Sequence, residues 1–171
     1  MNIRKAIKSD AEKLVKLVDS VKFDKETSEK NGFIKGIYTA EEYELFMNNV
    51  DTFFIAEIDN EIIGFVWLFD EKEYLKEETY GKINDKDYFF VRQIVAKHGT
   101  NLNIGNKLYR YVKEKLPKNL YATIYTTPKN TRSLTFHDRE GFVHQSDVIL
   151  NEKILSLVKF EYKNIQNLKI N

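Results

Sequence analysis

Tyr88-Phe89-Phe90-Val91-Arg92-Gln93-Ile94-Val95-Ala96-Lys97-His98-Gly99-Thr100-Asn101-Leu102-Asn103-Ile104-Gly105-Asn106-Lys107-Leu108 is the stretch on which the fold turns. Its first part, Tyr88 to Val95, is aromatic and β-branched and reads as a buried strand. An irregular stretch, Lys97 to Asn103, follows. Ile104, Leu108, Tyr111, Val112 and Leu116 then recur at helical spacing until Pro117 stops them. A strand feeding a tight turn into a helix start builds an anion site. The first N–H groups of the helix lack intrahelical partners, and the positive end of its dipole points the same way.

Outward from this unit the chain alternates in the same manner. Ile3 to Ile7 reads as a first strand. Ser9 and Glu12 match a capping box that opens a helix with Leu14, Val15, Leu17, Val18 and Val21 on one stripe. A second box, Thr39 to Glu42, opens another helix carrying Tyr43, Phe46 and Met47. Phe53 to Ile58 and Ile62 to Phe69 read as a hairpin around Asp59-Asn60. Asp70 to Asp87 carries more acidic than basic residues and reads as an exposed connection. Past the central unit come a strand at Leu120 to Tyr125 and a helix at about 131–140, ended by Gly141. Two strands follow, Phe142 to Ile149 and Leu155 to Tyr162, around a turn at Asn151. The predicted order is β-α-α-β-β-β-α-β-α-β-β, an α/β (α+β) arrangement with helices on the faces of a mixed sheet.

Composition narrows the function. The chain has 171 residues and no Gly/Ser/Pro-rich linker or repeat, so one domain spanning 1–171 is expected. Net charge is +1, which gives no broad electrostatic reason to expect nucleic acid or an anionic membrane as partner. Absence of cysteine excludes disulfides, thiolate metal sites and a cysteine nucleophile. The three histidines are scattered without metal-ligand spacing. Neither a signal-peptide core nor a run of roughly 18 apolar residues is present, so a cytoplasmic protein is the expectation.

Two motifs carry a specific resemblance. After a strand ending in Ile94-Val95, the turn into Gly105 resembles the Arg/Gln-x-x-Gly-x-Gly/Ala turn of the GNAT (GCN5-related) N-acetyltransferases. Thr100 stands at the Arg/Gln position, Asn103 at the first glycine, and Gly105 is retained. Asn101 and Asn103 suit such a turn because Asn enters left-handed backbone more readily than most residues. Lys97 or Lys107 would supply charge in place of the missing Arg. Further on, Asn130-Thr131-Arg132-Ser133-Leu134-Thr135-Phe136-His137 with Gly141-Phe142 is similar to the family's Asn-x-x-Ala/Ser-x-x-Phe-Tyr/His-x-x-x-Gly-Phe segment. Ser133 and His137 are four apart and share a helix face. Asn130 sits where a helix N-cap is also expected, and Phe136 and Phe142 where core residues are. Ile3-Arg4-Lys5-Ala6 with Ser9-Asp10-Ala11, and Ile62-Ile63-Gly64-Phe65, resemble the family's opening strand and hairpin. The resemblance covers about residues 1–163.

That resemblance implies a twisted, mostly antiparallel sheet of six to seven strands flanked by about four helices. It implies acetyl-CoA as cosubstrate, with its pyrophosphate at the turn and its pantetheine beside the fourth strand. The cofactor-binding set would be Ile94, Val95, Thr100, Asn101, Asn103, Ile104, Gly105, Asn106, Lys107, Asn130, Ser133, Phe136 and His137. An amine would attack the thioester directly, so the protein contributes position, a polarised carbonyl and proton management. His137 stands where the family places a Tyr that protonates the leaving thiolate, and is the expected acid. No carboxylate lies within the fourth strand. Asp87 at its start is the nearest candidate base, with Glu57 and Asp70 as others. Arg92 is expected to orient an acceptor carboxylate or to pair with an acidic neighbour. His98 and His144 read as surface or packing residues.

The acceptor, a small-molecule or peptide amine, is expected between the first two helices and the loop after the third strand, near Phe33, Ile37, Tyr38 and Tyr43. The acidic 70–87 segment mildly favours a cationic one. An exposed last strand at 155–162 would allow a homodimer. Two other readings stand beside the transferase: a non-catalytic acyl-CoA-binding or regulatory module, and an α/β domain with no coenzyme A site.

Overall fold

The computed structural model describes residues 1–24, 26, 28, 32–69, 83 and 85–163. In it the central strand becomes β4 (Tyr88–Ala96) of a seven-stranded sheet. The other strands are β1 (Asn2–Lys5), β2 (Phe53–Ile58), β3 (Glu61–Phe69), β5 (Asn119–Tyr125), β6 (Val143–Leu150) and β7 (Lys153–Phe160). Their order across the sheet is β1-β2-β3-β4-β5-β7-β6. Every neighbouring pair is antiparallel except β4 with β5, which is parallel. The helices among the described residues are α1 (Ala11–Asp19), α2 (Ala40–Asn49), α3 (Ile104–Lys115) and α4 (Thr131–Arg139). No helix among the described residues is long and apolar enough to cross a membrane.

Side-chain alternation builds the two layers. Along β3, Phe65 and Trp67 face a cluster with Leu14, Leu17 and Val18 of α1 and Tyr43 and Met47 of α2. Val66 and Leu68 face the opposite cluster, with Leu108, Tyr109 and Val112 of α3. A strand buried on both faces must be apolar throughout, and β3 is buried from Ile62 to Phe69. The β2–β3 turn has both central residues left-handed, Asp59 at φ 49° and Asn60 at φ 66°, the geometry that suits strand twist in a two-residue hairpin. Asn151 and Glu152 do the same between β6 and β7, at φ 48° and 61°.

The Thr39–Glu42 box forms: Glu42 N–H donates to Thr39 Oγ1 at 3.3 Å, and Thr39 N–H to Glu42 Oε2 at 2.8 Å. The expected Ser9–Glu12 box does not. A short 3₁₀ turn, Lys8–Asp10, precedes α1, and the buried Asp10 carboxylate accepts from Ile7 N–H at 2.9 Å. Arg4 also holds that carboxylate, at 2.7 and 3.0 Å, and bridges to Glu57 on β2 at 2.9 Å. Burial alone would raise the Asp10 carboxyl; the Arg4 and Ile7 hydrogen bonds bring it below the usual range. The carboxylate thus closes the 3₁₀ turn, and α1 begins after Asp10 without a side-chain cap.

The last strand is also placed differently from expectation. β7 lies between β5 and β6 with Leu155 and Leu157 buried, so the exposed edge is β6. The dimer edge expected at 155–162 is therefore interior to the sheet. The predicted connection at 70–87 falls mostly outside the described residues. Of its described part, Ile83 is buried, and Asp85 accepts from Asn119 and Tyr121 at 2.8 Å each and pairs with Lys159 at 3.0 Å.

Candidate functional site

Two features of β4 open the site. First, Trp67 pairs with Gln93 but Leu68 with Val91, so Arg92 is an extra, bulged residue. Bulges bend a strand and increase its twist. Second, β4 pairs with β5 only from Tyr88–Asn119 to Val91–Ala122. Beyond that point the two parallel strands diverge, and the C-terminal half of β4 has a partner on the β3 side alone.

Which backbone groups face the opening follows from the antiparallel alternation. Lys97 N–H donates to the Ile63 carbonyl at 2.8 Å. Counting back by twos turns the N–H of Val95 toward Phe65. The N–H groups of Ile94 and Ala96 are left facing the divergent side.

A cavity of about 240 Å³ runs from this opening to the start of α3. Ile94, Val95, Thr100, Asn103, Ile104 and Gly105 line it, as do Asn106, Asn130, Ser133 and Phe136. Asn101 and Lys107 are not in its wall. Asn103 has φ 51° and ψ 44°, the left-handed conformation its side chain tolerates, and caps α3 without a side-chain hydrogen bond. The first N–H groups of α3 therefore point into the cavity mouth uncovered. Gly99 is left-handed too, at φ 74°. The Asn106 amide turns away to Glu140, which also holds Lys113 at 2.9 Å.

Gly105 has a packing reason to be glycine: a Cβ there would stand 2.9 Å from Cζ of Phe136. That ring stacks on Tyr109, with centroids 5.4 Å apart. Gly64 on β3 is tighter still, because a Cβ would meet Ile104 Cγ2 at 2.5 Å and the Val95 carbonyl at 2.9 Å. The N-terminus of α3 thus approaches β3 and β4 as closely as backbone allows.

Sequence reading gave Arg132 no role, yet it stands in this wall together with His98, which was expected only as a surface or packing residue. Burial, with the nearby Arg132 charge, lowers the His98 pKa. Lys97, one proposed substitute charge, is paired with Glu61.

Asn130 is buried and fully engaged. Its Oδ1 accepts from Ser133 N–H at 3.1 Å, capping α4, and its Nδ2 donates to the Phe33 carbonyl at 2.8 Å. The second bond ties the segment around residues 33–36 over the diverging strands. This segment walls off a second cavity, again about 240 Å³, reached between β4, β5 and the β6–β7 hairpin. Phe33, Ile34, Ile94, Asn130 and Ser133 line both cavities.

His137 borders the second cavity only, and it is committed on both nitrogens. The Ser133 carbonyl, 2.8 Å from Nδ1, can only accept, so Nδ1 carries the proton. Nε2 then accepts from the Tyr109 hydroxyl at 2.8 Å. Burial lowers the His137 pKa to about 4. This geometry does not leave His137 free as a proton donor, because a buried imidazole with both nitrogens bonded is neutral and occupied at physiological pH. Asp87 is likewise not brought to the site. It is exposed, paired with Lys118 at 2.7 Å, and seven residues of strand, roughly 23 Å, from Ile94. Glu57 is bound to Arg4, and Asp70 lies outside the described residues. Of the expected acceptor-site residues, Phe33 lines both cavities, Ile37 is exposed and Tyr43 is buried in the core. Tyr43 donates to Gln93 Oε1 at 3.0 Å, and Tyr38 holds Arg92 through its hydroxyl. His144 is exposed, 2.7 Å from Ser156 Oγ. No group of three or more His, Asp or Glu able to hold a metal ion occurs among the described residues.

Comparison with known proteins agrees with this architecture. The family model described as "Acetyltransferase (GNAT) family" matches residues 21–142. No curated protein sequence matches the chain significantly. Among solved structures, an N-acetyltransferase from Staphylococcus aureus Mu50 superposes with a TM-score of 0.67 at 14% identity, over 94% of this chain and 100% of that one. The yncA protein of Salmonella typhimurium, solved with its cofactor acetyl-CoA, gives 0.66 at 13% identity, over 96% and 95%. Diaminobutyrate acetyltransferase EctA from Paenibacillus lautus, in complex with its substrate L-2,4-diaminobutyric acid and coenzyme A, gives 0.63 at 14% identity, over 95% and 96%. At such identities the likeness is one of fold.

Proposed function

From the premise that this chain belongs to the acetyltransferase (GNAT) family, we propose that it transfers an acetyl group from acetyl-CoA to a primary amine of a small molecule or peptide. The observation that carries this reading is the divergence of β4 from β5 beyond Val91 and Ala122, which opens directly onto the uncapped start of α3. An extended amide-bearing arm fits beside β4, where Ile94 and Ala96 present free N–H groups. A pyrophosphate fits the N–H groups of Ile104, Gly105 and Asn106, with Arg132 nearby. The yncA and EctA complexes, which hold acetyl-CoA and coenzyme A, support the choice of cosubstrate.

In the reaction the amine nitrogen bonds to the thioester carbonyl carbon, and the carbonyl oxygen takes up negative charge. The N–H groups facing the divergent side are placed to stabilise it. The carbon–sulfur bond then breaks, and coenzyme A leaves as a thiolate, tolerable for a thiol of pKa about 8.5. The nitrogen loses its proton to water in the open second cavity. No carboxylate is among the described residues lining either cavity. His137 keeps the Tyr109 hydroxyl in place and thereby shapes the wall at Phe136.

That absence of a carboxylate, together with the committed His137, also favours the second reading, a non-catalytic acyl-CoA-binding module. One experiment separates the two. Acetyl-CoA binding is measured by calorimetry, and thiol release is followed across a panel of primary amines. Binding with amine-dependent thiol release is the expected result. Binding without release for any amine supports the module, and no binding at millimolar acetyl-CoA overturns both.

A further inference from the structure

The second cavity carries an unbalanced charge. Lys35 sits in its wall, with its ammonium 4.7 Å from the Phe23 ring centroid, 5.0 Å from that of Tyr125 and 5.5 Å from that of Phe33. Three aromatic rings fix the position of a cation without neutralising it. Lys153 of β7 stands close enough to act on Lys35, and burial followed by that like charge lowers the Lys35 pKa. Arg92, projecting from the β4 bulge, also lines the cavity and among the described residues bonds the Tyr38 hydroxyl. Among the described residues neither Lys35 nor Arg92 has a carboxylate partner, although eight other Lys or Arg ion pairs form. Holding the partly buried Lys35 ammonium beside Lys153 without a counter-ion is unfavourable. A bound anion removes that cost.

We propose that the second cavity is an acceptor site for a small amine that also bears an anionic group, with Lys35 and Arg92 binding the anion. This rests on the acetyltransferase reading, since it assigns the acceptor of the same site. Arg92 lies two residues, roughly 6–7 Å of strand, from Ile94. The anion is therefore held within one small-molecule length of the carbonyl that the amine attacks. Its chemistry is that of a carboxylate, as in an amino acid, or of a phosphate, as in a phosphorylated amino alcohol. It adds an anionic group to the acceptor that the acidic 70–87 segment mildly favoured as cationic.

The test uses the full chain with matched acceptor pairs: α- and ω-amino acids against their carboxamides, and O-phosphoethanolamine against ethanolamine. Each member is measured for binding by calorimetry, with and without coenzyme A, and for acetyl transfer as kcat/KM. The anionic member of at least one pair is expected to exceed its neutral partner by about tenfold to a hundredfold, the range for charge-assisted hydrogen bonds. Which pair responds distinguishes carboxylate from phosphate. Arg92→Gln and Lys35→Gln are each expected to shrink the anionic-to-neutral ratio toward one, mainly through KM. Preferential binding of the anionic members without any transfer upholds the site and sinks the transferase reading. Equal or better performance by the neutral member of every pair, or no binding by any probe, overturns the proposal while thiol release with other amines would leave the transferase reading intact.

Discussion

His137 was expected to give a proton away; in the structure it holds two neighbours in place. With both nitrogens bonded and burial lowering its pKa to about 4, it contributes to stability with a definite sign. The unfolded chain takes up a proton near pH 6.5 and the folded chain not until about pH 4. Between those values the unfolded state binds more protons, so stability falls as pH drops through that window. The full loss is about 3 kcal/mol by the conversion of a pKa difference to free energy. Urea denaturation between pH 4 and 8 should show this slope, and His137→Gln should remove the larger part of it, leaving what the lowered His98 contributes, while lowering stability at pH 7. The same variant should leave a limb-free pH profile of acetyl transfer, rising with the free-base fraction of the amine. A limb near pH 6.5 that vanishes in His137→Gln would restore the proton-donor role. Gly105 makes a second residue-scale case. Gly105→Ala should cost about 1–2 kcal/mol through contact with the Phe136 ring. Phe136→Leu in the same chain should recover part of it, as a denaturation double-mutant cycle would read. The motif made Gly105 and His137 visible in the sequence, but not what they touch. Tyr109 lies 28 residues from His137 in the chain, and no local pattern records such a contact.

Elements were far more legible. β2, β3, β4 and α3 follow from runs of apolar residues at periods of two or 3.6, and the hairpin from Asp59-Asn60, because these signals are local. The start of α1 escaped because the Ser9–Glu12 pattern does not record the 3₁₀ turn that the Asp10 carboxylate closes on Ile7. Arg4 of β1 also holds that carboxylate, a contact no local pattern records. Position in the sheet escaped for β7, since inserting it between β5 and β6 depends on pairing rather than on its own sequence. The docking of α3 on the sheet carries a prediction of its own. Gly64 lets Ile104 approach to a distance no side chain would permit, with the Val95 backbone closing the other side. Gly64→Ala must therefore move the first turn of α3 or the end of β4. It should lower stability by about 1–3 kcal/mol and weaken acetyl-CoA binding more than tenfold, because it separates the two groups of N–H donors. Calorimetry on the folded variant checks this. Unchanged affinity with reduced stability would confine Gly64 to packing.

At the scale of the whole molecule the sheet is two blocks, β1 to β4 and β5 to β6, joined by four residue pairs and by the 33–36 segment hung on Asn130. Neither tie is visible in the sequence. The parallel pairing crosses a helix, and Asn130 meets Phe33 across 97 residues. A ligand lying in the divergence would span the seam and stabilise both blocks together. At a concentration one hundred times its Kd, acetyl-CoA should add about 2.7 kcal/mol to the folded state, raising Tm by roughly 5–11 °C for a chain of this size. Global stabilisation slows exchange of every core amide, so the more telling measurement is the excess at the seam. Ile94 and Ala96 amides, which face the opening, should slow beyond the core average when acetyl-CoA is added. Val95, already turned to Phe65, should follow the average. Hydrogen exchange resolved by residue reads the difference. If Val95 gains the excess and Ile94 does not, the register deduced from Lys97 and Ile63 is inverted. The donors facing the ligand would then be Val95 and its alternate neighbours, with the arm of the cosubstrate shifted by one residue along β4.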